Sequence, residues 1–419
     1  MNAGYRLLIA GLVAWAVLLA APGSGAARPA PDSFADLVEK LTPAVVNIAT
    51  SFKPETKSQK SPFGELPPGT PPKEFYEFFN RRGAPTQPIT SLGSGFIIDP
   101  SGLVVTNNHV IADADEITVV LNDNSRLKAK IVGRDPKTDL ALLKVENGES
   151  LPFVEFGDSD SARVGDWVIA IGNPFGLGNT VTAGILSARG RDINAGPYDD
   201  FLQTDAPINR GNSGGPMFDM NGKVIGVNTL IFSPSGGSVG IGFATPSAIA
   251  GPVIEQLRQF GQTRRGWLGV RIQSVSPEIA ESHKLAAATG ALVAAVIEDS
   301  PAADGGLLQG DIILRFDGQE VPNRRALPRI VADTLVGSSV PVIVWREGEH
   351  VPLEVTIGRL EEYELASATA ARAGAPLEME FSSLGLTLAH ITAELREKYA
   401  LADDSKGVIV TEVSEDTDG

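Results

Sequence analysis

One serine in the sequence has neighbours that suit nucleophilic catalysis. Ser213 lies in the segment GNSGGP, residues 211–216. A serine hydroxyl is a poor nucleophile until a base removes its proton. The oxyanion that forms on attack needs backbone N–H donors aimed at one point, and glycines permit the sharp turn that leaves such donors uncovered. The segment therefore suits acyl transfer, although an ordinary Gly-Ser turn has the same composition.

A candidate for that base is His109. The sequence has four histidines, at positions 109, 283, 350 and 390, and only the first lies in the β-rich region that contains Ser213. His109 follows the apolar run that begins at Leu103, at the expected end of a strand. A lone histidine in such a place is usually structural, but its combination with GNSGGP downstream favours a catalytic histidine.

A carboxylate suited to orienting His109 is Asp139, which directly precedes the apolar run LALL. There it is expected to be partly buried, to accept a hydrogen bond from one imidazole nitrogen and to fix the tautomer. Asp135, four residues earlier, fits a turn or capping role better. The order His109, Asp139, Ser213, with separations of 30 and 74 residues, is the order of chymotrypsin-type proteases.

The residues around these three form short β-type runs separated by turn residues. From Ser91 to Pro246 the runs are GFIID, LVVTN, ITVVL, LKAKIV, DLALLKV, DWVIAIG, TVTAGILSA, GKVIGVNTLIF and IGFATP. Closely spaced strands with turn signals predict a barrel or a sandwich. A closing helix is expected after Ser247, with its true start near Pro252 because proline is favoured in the first turn of a helix.

Two segments nearer the N-terminus differ from this region. A helix capped by Asp32 or Ser33 is predicted, because apolar residues follow with the spacing of one helix face. These apolar residues are Phe34, Leu37, Val38 and Leu41. Residues 51–90 are rich in Pro, Gly, Lys and Ser and lack periodicity, which predicts a long mobile loop. Its FYEFF patch either docks on a partner subunit or pins the loop as a local cluster.

An internal repeat begins just after Trp267. LGVRIQSVSPEIAESHKL, from Leu268, matches LGLTLAHITAELREKYAL, from Leu384, at an offset of 116 residues, and GALVAAVIEDS matches GVIVTEVSEDT with one residue of slippage. The first copy continues into SPAADGGLLQGDIILRFDGQEV, so the second copy holds only about half of the pattern. The segment between the copies contains LASATAARAGAP, which predicts a flexible linker.

Composition and the first residues bear on location and partners. The net charge of −16 disfavours nonspecific binding to nucleic acid or anionic membranes. The absence of cysteine excludes disulfides, a cysteine nucleophile and cysteine-based zinc sites. Arg6, the apolar run to Ala20 and the small residues after it are typical of a signal peptide cleaved near Ala26 or Ala27. An uncleaved membrane anchor is the alternative, although the run is short for a bilayer span.

The motifs TNNHVI around His109, DLALL from Asp139 and GNSGGP around Ser213 resemble the core of the high-temperature-requirement (HtrA/DegP-like) serine endoproteases. The resemblance implies a mostly β protein with a chymotrypsin-like double barrel, in whose cleft these three residues form the catalytic triad. It implies an oxyanion hole made by the backbone N–H groups of Gly211 and Ser213, with Asn212 shaping the loop.

The same resemblance implies where substrates bind to the protease region. The segment Asn228-Thr229-Leu230-Ile231 matches the strand beside the primary specificity pocket, and Ile208 and Ile231 are implied to line that pocket. No acidic residue lies between Leu230 and Ala244, so small aliphatic side chains are expected to fit better than basic ones.

A PDZ domain is implied by the residues after the protease region. Leu268, Gly269 and Val270 resemble the carboxylate-binding loop of a PDZ domain, which offers backbone N–H groups to a peptide C-terminus that adds as a strand. The later segment GLLQGDIILRFDG is another element that PDZ domains of this family carry. Arg264 and Arg265 are expected to favour the negative end of the peptide.

The resemblance divides the chain into five parts. They are a signal peptide (1–27), a trypsin-like protease domain (28–262), a PDZ domain (263–360), a linker (361–380) and a truncated second PDZ-like segment (381–419). The segment 187–201, which contains ARGRDINAGPYDD, resembles the regulatory loop of the family, the alternative being a plain exposed loop.

The function that this resemblance implies is ATP-independent degradation of unfolded or damaged proteins in the periplasm, by a homotrimer without metal or organic cofactor. The partners expected are unfolded proteins and peptide C-termini. The alternative is a chaperone or adaptor that captures peptides with its PDZ domain and carries a latent protease site. A secreted digestive protease of trypsin type is disfavoured by the absence of cysteine and by the C-terminal repeat.

Overall fold

The computed structural model describes residues 31–52, 89–146, 148–173, 179–193, 195–233, 237–372, 378–381, 386–399, 401–402, 405 and 407–413. The predicted signal peptide, residues 53–88 of the predicted loop and its FYEFF patch lie outside the described residues. No helix in the described ranges is long and apolar enough to cross a membrane.

The predicted N-terminal helix is present as α1, Ala35–Leu41. The hydroxyl of Ser33 accepts the N–H of Ala35 at 3.1 Å, which satisfies one of the donors that a helix start leaves without an intrahelical acceptor. The four residues of the expected apolar face are less exposed than their neighbours. A short 3-10 turn, Thr42–Ala44, follows the helix.

The first closed barrel carries two of the candidate catalytic residues. Its strands are β1 (Val45–Phe52), β2 (Ile89–Asp99), β3 (Leu103–Asn107), β4 (Glu116–Val120), β5 (Arg126–Asp135) and β6 (Leu140–Val145). They close in the order β1-β2-β3-β6-β5-β4. A short helix, α2 (Asn108–Ile111), directly follows β3. His109 therefore lies in this helix, and Asp139 lies in the turn between β5 and β6.

The core of this barrel follows from alternation along its strands. In β4, Ile117 and Val119 are buried while the three residues that alternate with them are more exposed, as expected for a strand with one face toward the core. All five residues of β3 are buried. The C-terminal end of β3 lies against the loop of the second barrel that contains Gly214, because a Cβ on Gly214 would lie 2.3 Å from the Thr106 hydroxyl and 2.9 Å from the backbone nitrogen of Asn107.

The second closed barrel carries the candidate nucleophile. Its strands are β7 (Trp167–Gly172), β8 (Thr180–Arg191), β9 (Phe201–Thr204), β10 (Pro216–Phe218), β11 (Val224–Ile231) and β12 (Gly242–Pro246). They close in the order β10-β11-β12-β9-β8-β7. Its core includes Val168, Leu186, Leu202, Met217 and Ile225. Ser213 lies in the turn that leads into β10.

The closing helix, α3, spans Ser247–Phe260, so the expected start near Pro252 is wrong by one and a half turns. The first turn is stabilised from outside the helix, because Ser159 Oγ accepts the N–H of Ala248 at 3.0 Å. Pro252 consequently lies inside the helix, where it removes one intrahelical hydrogen bond. The helix ends at Gly261, which has a φ of 71° and adopts the left-handed conformation typical of a helix end.

A PDZ-type sheet follows the barrels. Its strands are β13 (Gly266–Trp267), β14 (Val270–Ser274), β15 (Ala291–Val296), β16 (Ile312–Phe316), β17 (Gln319–Glu320), β18 (Ser339–Arg346), β19 (Glu349–Thr356) and β20 (Gly358–Arg359). Strands β14-β15-β16-β18-β19 form one sheet with β17 beside β16, and β13 pairs with β20. The helices are α4 (Pro277–Ser282), α5 (Pro301–Asp304) and α6 (Ala326–Asp333). Strand β14 is at the edge of its sheet.

The predicted repeat is confirmed in the secondary structure. The second copy consists of β22 (Leu386–His390), α8 (Ala393–Lys398) and β23 (Val408–Val413), and β21 (Glu378–Phe381) pairs with β22. In the first copy Val270 pairs with Val296, and in the second Leu386 pairs with Val413. The first partners differ by 116 residues and the second by 117, which is the slippage seen in the sequence.

The prediction of a flexible linker between the two copies is wrong for the first part of that segment. Residues Leu360–Arg372 form a helix, α7. The small residues that suggested a linker are mostly alanines, and alanine is the best helix former. Glu361 and Glu362 lie in the first turn, where negative charge is favourable near the helix N-terminus.

Helix α7 is attached to both neighbouring domains. Tyr363 stacks on Trp267 of β13 with ring centroids 4.1 Å apart. Glu361 accepts the backbone N–H of Arg265 at 3.1 Å and the hydroxyl of Thr263 at 3.2 Å. Glu364 forms an ion pair with Lys137 of the first barrel. The helix therefore packs where the PDZ domain meets the first barrel.

A buried ion pair lies at the same junction. The guanidinium of Arg265 donates from both terminal nitrogens to the two carboxylate oxygens of Asp135, and the two side chains are 7% and 3% exposed. Burial alone would lower the pKa of Arg265, but the hydrogen bond and charge of Asp135 raise the pKa overall. Asp135 also accepts the N–H of Lys137 at 3.3 Å, so the expected turn role is present beside a pairing that the sequence did not suggest.

Candidate active site

The two side chains at the centre of the site are in direct contact. His109 Nδ1 lies 2.5 Å from Asp139 Oδ2, and the backbone N–H of His109 donates to Asp139 Oδ1 at 2.8 Å. A carboxylate only accepts hydrogen bonds when ionised, so the proton must be on Nδ1. The lone pair of Nε2 is then available to act as a base, as the sequence motif predicted.

The backbone of Asp139 has an uncommon conformation. Its φ is 55°, in the left-handed region that few residues other than glycine adopt. Its carbonyl oxygen accepts from the N–H of Asn108 at 3.0 Å and from the side-chain amide of Asn107 at 2.7 Å. A conformation of this kind costs on the order of 1 kcal/mol and persists where surrounding contacts impose it. Here it turns the carboxylate toward His109.

The loop that contains Ser213 packs against the first barrel. The carbonyl of Ser213 accepts the N–H of Ser94 at 2.9 Å. A Cβ placed on Gly214 would lie 2.3 Å from the Ser94 carbonyl oxygen and 2.9 Å from the backbone nitrogen of Asn107. Only glycine fits in this contact, which brings Ser213 to the start of the helix that carries His109.

Some backbone N–H groups of this loop donate to acceptors within the protein, and others do not. Asn212 N–H donates to Asn209, Gly214 N–H to Asn228 and Gly215 N–H to Asn212, at distances of 2.8–3.1 Å. Within the described part of the chain, the N–H groups of Gly211 and Ser213 have no protein acceptor. These are the two donors expected for the oxyanion hole. Gly211 has a φ of 94°, which favours glycine at that position.

The predicted pocket residues converge at one end of β12. Ile231 of β11 pairs with Gly242, and a Cβ on Gly242 would lie 2.7 Å from the side chain of Ile208. Leu230 pairs with Phe243 in the same register. The three isoleucine and leucine side chains are apolar, and the preference for small aliphatic substrates stays a prediction.

Three of the five predicted substrate-binding side chains do not reach the surface, because Ile208, Asn228 and Thr229 are each 1% exposed. The amide of Asn228 donates to the carbonyl of Pro216 at 3.1 Å, and the hydroxyl of Thr229 donates to the carbonyl of Val227 at 2.8 Å. Because these two polar side chains are occupied inside the protein, only their backbone is left to contact a substrate.

Family models and related proteins agree with this architecture. A model described as a trypsin-like peptidase domain matches residues 93–227, and one described as a PDZ domain matches residues 266–357. A protein of Brucella suis named "Probable periplasmic serine endoprotease DegP-like" is 45% identical over 416 residues, covering 93% of this chain and 79% of its own length. This chain belongs to the HtrA/DegP-like serine endoproteases.

Further relatives in the family include both sequences and solved structures. A Pseudomonas putida protein of the same name is 45% identical over 403 residues and covers 94% of this chain, with 83% of its own length matched. The structure of the HtrA-type protease AlgW with a tripeptide has a TM-score of 0.65 and 44% identity, covering 78% of this chain and 97% of AlgW. The structure of the serine endoprotease from Yersinia pestis has a TM-score of 0.56 and 34% identity, and the match covers 79% of this chain and 100% of the Yersinia chain.

These similarities establish a serine endopeptidase and support the protease interpretation over that of a peptide-binding chaperone with a latent site. The mostly β fold with two barrels and a PDZ domain, expected from the motifs, is confirmed. Peptides are bound in structures of HtrA-type relatives.

One residue of this HtrA-type site was not found by sequence reasoning. Ser94 of β2 is fully buried, and its hydroxyl donates to the carbonyl of Gly211 at 2.5 Å and accepts the N–H of Asn173 at 2.8 Å. The backbone N–H of Ser94 donates to the carbonyl of Ser213, so Ser94 binds the loop that contains Ser213 at two carbonyls. The segment GSGF that contains it has no local signal for this role, because the two partners of the Ser94 hydroxyl are more than 75 residues away in the chain.

The predicted PDZ carboxylate-binding loop lies between β13 and β14. The carbonyls of Leu268 and Gly269 accept from Ala302 and Ile297 at 2.8 and 2.9 Å. Among the described residues, no protein group accepts the N–H of Leu268 or of Gly269. Because β14, which begins at Val270, is an edge strand, a peptide can add beside it.

The expected role of the two preceding arginines is wrong for Arg265. Its side chain is buried with Asp135 and is therefore not available to a peptide carboxylate. The guanidinium of Arg264 lies 3.6 Å from the ring centroid of Phe260, on the helix that precedes the PDZ domain.

The loop that resembles the family's regulatory loop contacts the PDZ domain. Asp192 pairs with Arg325 at 2.7 Å and Asp200 pairs with Arg329 of α6. Burial is the main cause that raises the pKa of Asp200, against the lowering effect of Arg329. Tyr198 lies beneath Arg265, 4.8 Å from ring centroid to guanidinium carbon, and burial raises its pKa to about 12. The described part of this loop is therefore not a plain exposed loop.

Proposed function

We propose that this chain is an ATP-independent endopeptidase of the periplasm that degrades unfolded or damaged proteins, with Ser213, His109 and Asp139 as its catalytic triad. The observation that carries the assignment is the two-point contact between His109 and Asp139, at 2.5 and 2.8 Å. It holds the imidazole in one tautomer with Nε2 free, beside a serine whose loop leaves two N–H groups without a protein acceptor.

The proposed reaction follows from this geometry. His109 Nε2 removes the proton of the Ser213 hydroxyl while Oγ attacks the substrate carbonyl. The negative charge on the carbonyl oxygen is stabilised by the N–H groups of Gly211 and Ser213, with Asn212 shaping the loop. The proton on His109 then passes to the leaving amine, and water repeats the sequence on the acyl-enzyme. Asp139 keeps its charge and stabilises the imidazolium.

Substrate selection is proposed to occur in two places. Ile208 and Ile231 help to form the primary pocket, and Leu230 and the backbone of Asn228 and Thr229 lie in the strand beside it. Leu268, Gly269 and Val270 bind the C-terminal carboxylate of a peptide. The contacts between the regulatory loop and α6 support a relay between the PDZ domain and the protease site. No metal or organic cofactor takes part in the proposed reaction.

The location and assembly proposed rest on the sequence and on relatives that are named periplasmic. Residues 1–27 are proposed to be a cleavable signal peptide, with a membrane-anchored form as the alternative. The domains proposed are the protease (28–262), the PDZ domain (263–360), the connecting segment (361–380) and the second PDZ-like segment (381–419). A homotrimer is the proposed assembly.

The proposed activity is tested by giving the mature chain, residues 28–419, a chemically unfolded model protein and the same protein in its folded form. Without ATP, fragments are expected from the unfolded protein only. An organophosphonate that reacts with activated serines is expected to label Ser213. No fragments together with no label would contradict the proposal and favour a peptide-binding chaperone with a latent site.

The PDZ assignment is tested at Gly269. Its φ is 85°, and a Cβ there would lie 2.3 Å from Ser300 Cβ, so Gly269→Ala must displace the loop. Affinity for a labelled apolar peptide with a free C-terminus is expected to fall by about tenfold or more, since a 1.4 kcal/mol loss is already tenfold. Fluorescence anisotropy measures the change, with a C-terminally amidated peptide as the ligand control.

Gly318→Ala is the matched control for this variant. Gly318 has a φ of 74° but no neighbour within 4 Å of a Cβ, so the substitution adds similar backbone strain without displacing the loop. Its peptide affinity is expected to equal that of the unaltered protein. Equal losses in both variants would mean that backbone strain in the domain, and not the loop, decides binding.

A further inference from the structure

Asn107 connects the candidate catalytic aspartate to the second barrel. It is the last residue of β3 and is fully buried. Its side-chain amide donates to the carbonyl of Asp139 at 2.7 Å and to the hydroxyl oxygen of Thr229 at 3.3 Å. Thr229 lies in β11 of the second barrel, so this one side chain spans the boundary between the barrels directly behind the site.

The hydrogen-bond pattern determines which way the amide is oriented. The Asp139 carbonyl can only accept, so the group that faces it must be the NH₂ of Asn107. The hydroxyl proton of Thr229 goes to Val227, at 2.8 Å, which leaves its oxygen to accept from Asn107 and from the hydroxyl of Thr245, 3.0 Å away. Both amide protons of Asn107 and every position on the Thr229 hydroxyl are therefore used.

We propose that Asn107 is a positioning residue that acts through Asp139, an inference that rests on the proposed triad. The amide of Asn107 holds the Asp139 carbonyl and anchors it to β11, which keeps the backbone of Asp139 in its left-handed conformation. In that conformation both carboxylate oxygens face His109, one on Nδ1 and one on the backbone N–H. Asn107 touches neither the substrate nor the reacting atoms.

The strain at Asp139 explains why such an anchor is needed. The left-handed conformation, with a φ of 55°, is disfavoured for an aspartate that is free to relax. The N–H of Asn108 also binds the Asp139 carbonyl, but both groups belong to the first barrel. Asn107 alone of these donors also binds a residue of the second barrel, so it links the orientation of Asp139 to the strand beside the specificity pocket.

The decisive experiment is a double-mutant cycle between Asn107→Ala and Asp139→Asn, read as kcat and KM on a peptide substrate. Alone, Asn107→Ala is expected to lower kcat by about 10- to 100-fold with KM unchanged, since a small misplacement of a catalytic group has effects of this size. Asp139→Asn is expected to lower kcat about 10⁴-fold. In the Asp139→Asn background, Asn107→Ala is expected to add less than about threefold, because residues that act as a unit are non-additive.

A spectroscopic signature separates positioning from general destabilisation. The low-field proton resonance of His109 Nδ1–H is expected to shift or broaden in Asn107→Ala. Ser247→Ala is the matched control, because Ser247 is also buried and its hydroxyl is bonded to Gly157 and Ser159 only, outside the site. That variant is expected to lower the melting temperature while the resonance and kcat stay unchanged.

If Asn107→Ala does not fold, Thr229→Val removes the other end of the same link. It is expected to lower kcat severalfold, an effect that again disappears in the Asp139→Asn background. Equal losses with and without Asp139, or no loss in kcat, would overturn the positioning role. Full activity in Asp139→Asn alone would instead overturn the triad, so the two failures are distinguishable.

Discussion

Ser213→Ala is expected to lower kcat for peptide cleavage by about 10⁶-fold, which corresponds to about 8 kcal/mol of transition-state stabilisation. The loss is this large because no other group in the proposed reaction forms the covalent acyl-enzyme. Residual cleavage above the rate in water is expected from the oxyanion donors and substrate binding alone. Cleavage of an unfolded protein and labelling by an organophosphonate measure the change.

The same substitution is expected to leave the fold intact. Ser213 is only half-buried, and its structural contact is made by its backbone carbonyl on Ser94. The melting temperature and the affinity for unfolded protein should therefore match the unaltered chain. Ser161→Ala is the control, since the hydroxyl of Ser161 binds only the carbonyl of Asp158 on the surface. Substantial cleavage by Ser213→Ala would contradict the triad assignment.

Arg265→Ala is expected to lower the free energy of unfolding by about 3–5 kcal/mol. The substitution leaves the buried carboxylate of Asp135 without its partner, and an uncompensated buried charge is strongly destabilising. It also removes one guanidinium N–H that donates to the hydroxyl of Thr263. Denaturant unfolding followed by intrinsic fluorescence measures the loss, because Trp267 lies two residues away.

Two further variants test whether the unpaired buried charge causes the loss of stability in Arg265→Ala. Arg163→Ala breaks the ion pair between Arg163 and Asp166, whose side chains are 76% and 44% exposed, respectively. Exposed pairs contribute roughly 0–1 kcal/mol to the free energy of unfolding. Replacing both Arg265→Met and Asp135→Leu removes the charges together and is expected to recover much of the loss. A double variant as unstable as Arg265→Ala would mean that packing, and not charge, accounts for the effect.

Several local features were predicted well because neighbouring residues determine them. The strands of both barrels follow from apolar runs and turn residues, and the repeat at an offset of 116 residues gives two copies of a strand–helix–strand unit. Two features were predicted wrongly, one because of a distant contact and one because of local propensity. Pro252 suggested a helix start, although Ser159 stabilises an earlier one, and alanines in 360–372 suggested a linker where their helix propensity decides the outcome.

Some residues of the candidate site could be predicted from local motifs, and others could not. The identity of His109, Asp139 and Ser213, and of Gly211 as a donor, could be inferred from motifs, since each needs a particular residue type beside particular neighbours. The roles of Ser94 and Asn107 could not. The side-chain hydrogen bonds that define these roles join residues that lie between 32 and 122 positions apart in the chain.

The amino-acid sequence by itself thus indicated the barrel strands and the repeat, because spacing and periodicity act over short distances, and its motifs indicated the chemistry and the order of the domains through their resemblance to a family. Only the tertiary structure decided that Arg265 pairs with Asp135, that Asp139 is held in a left-handed conformation, and that the side chains of Asn228 and Thr229 are buried. The physical reason is that burial and partner choice depend on which distant segments meet, and a charge or amide satisfied inside the protein is no longer available at its surface.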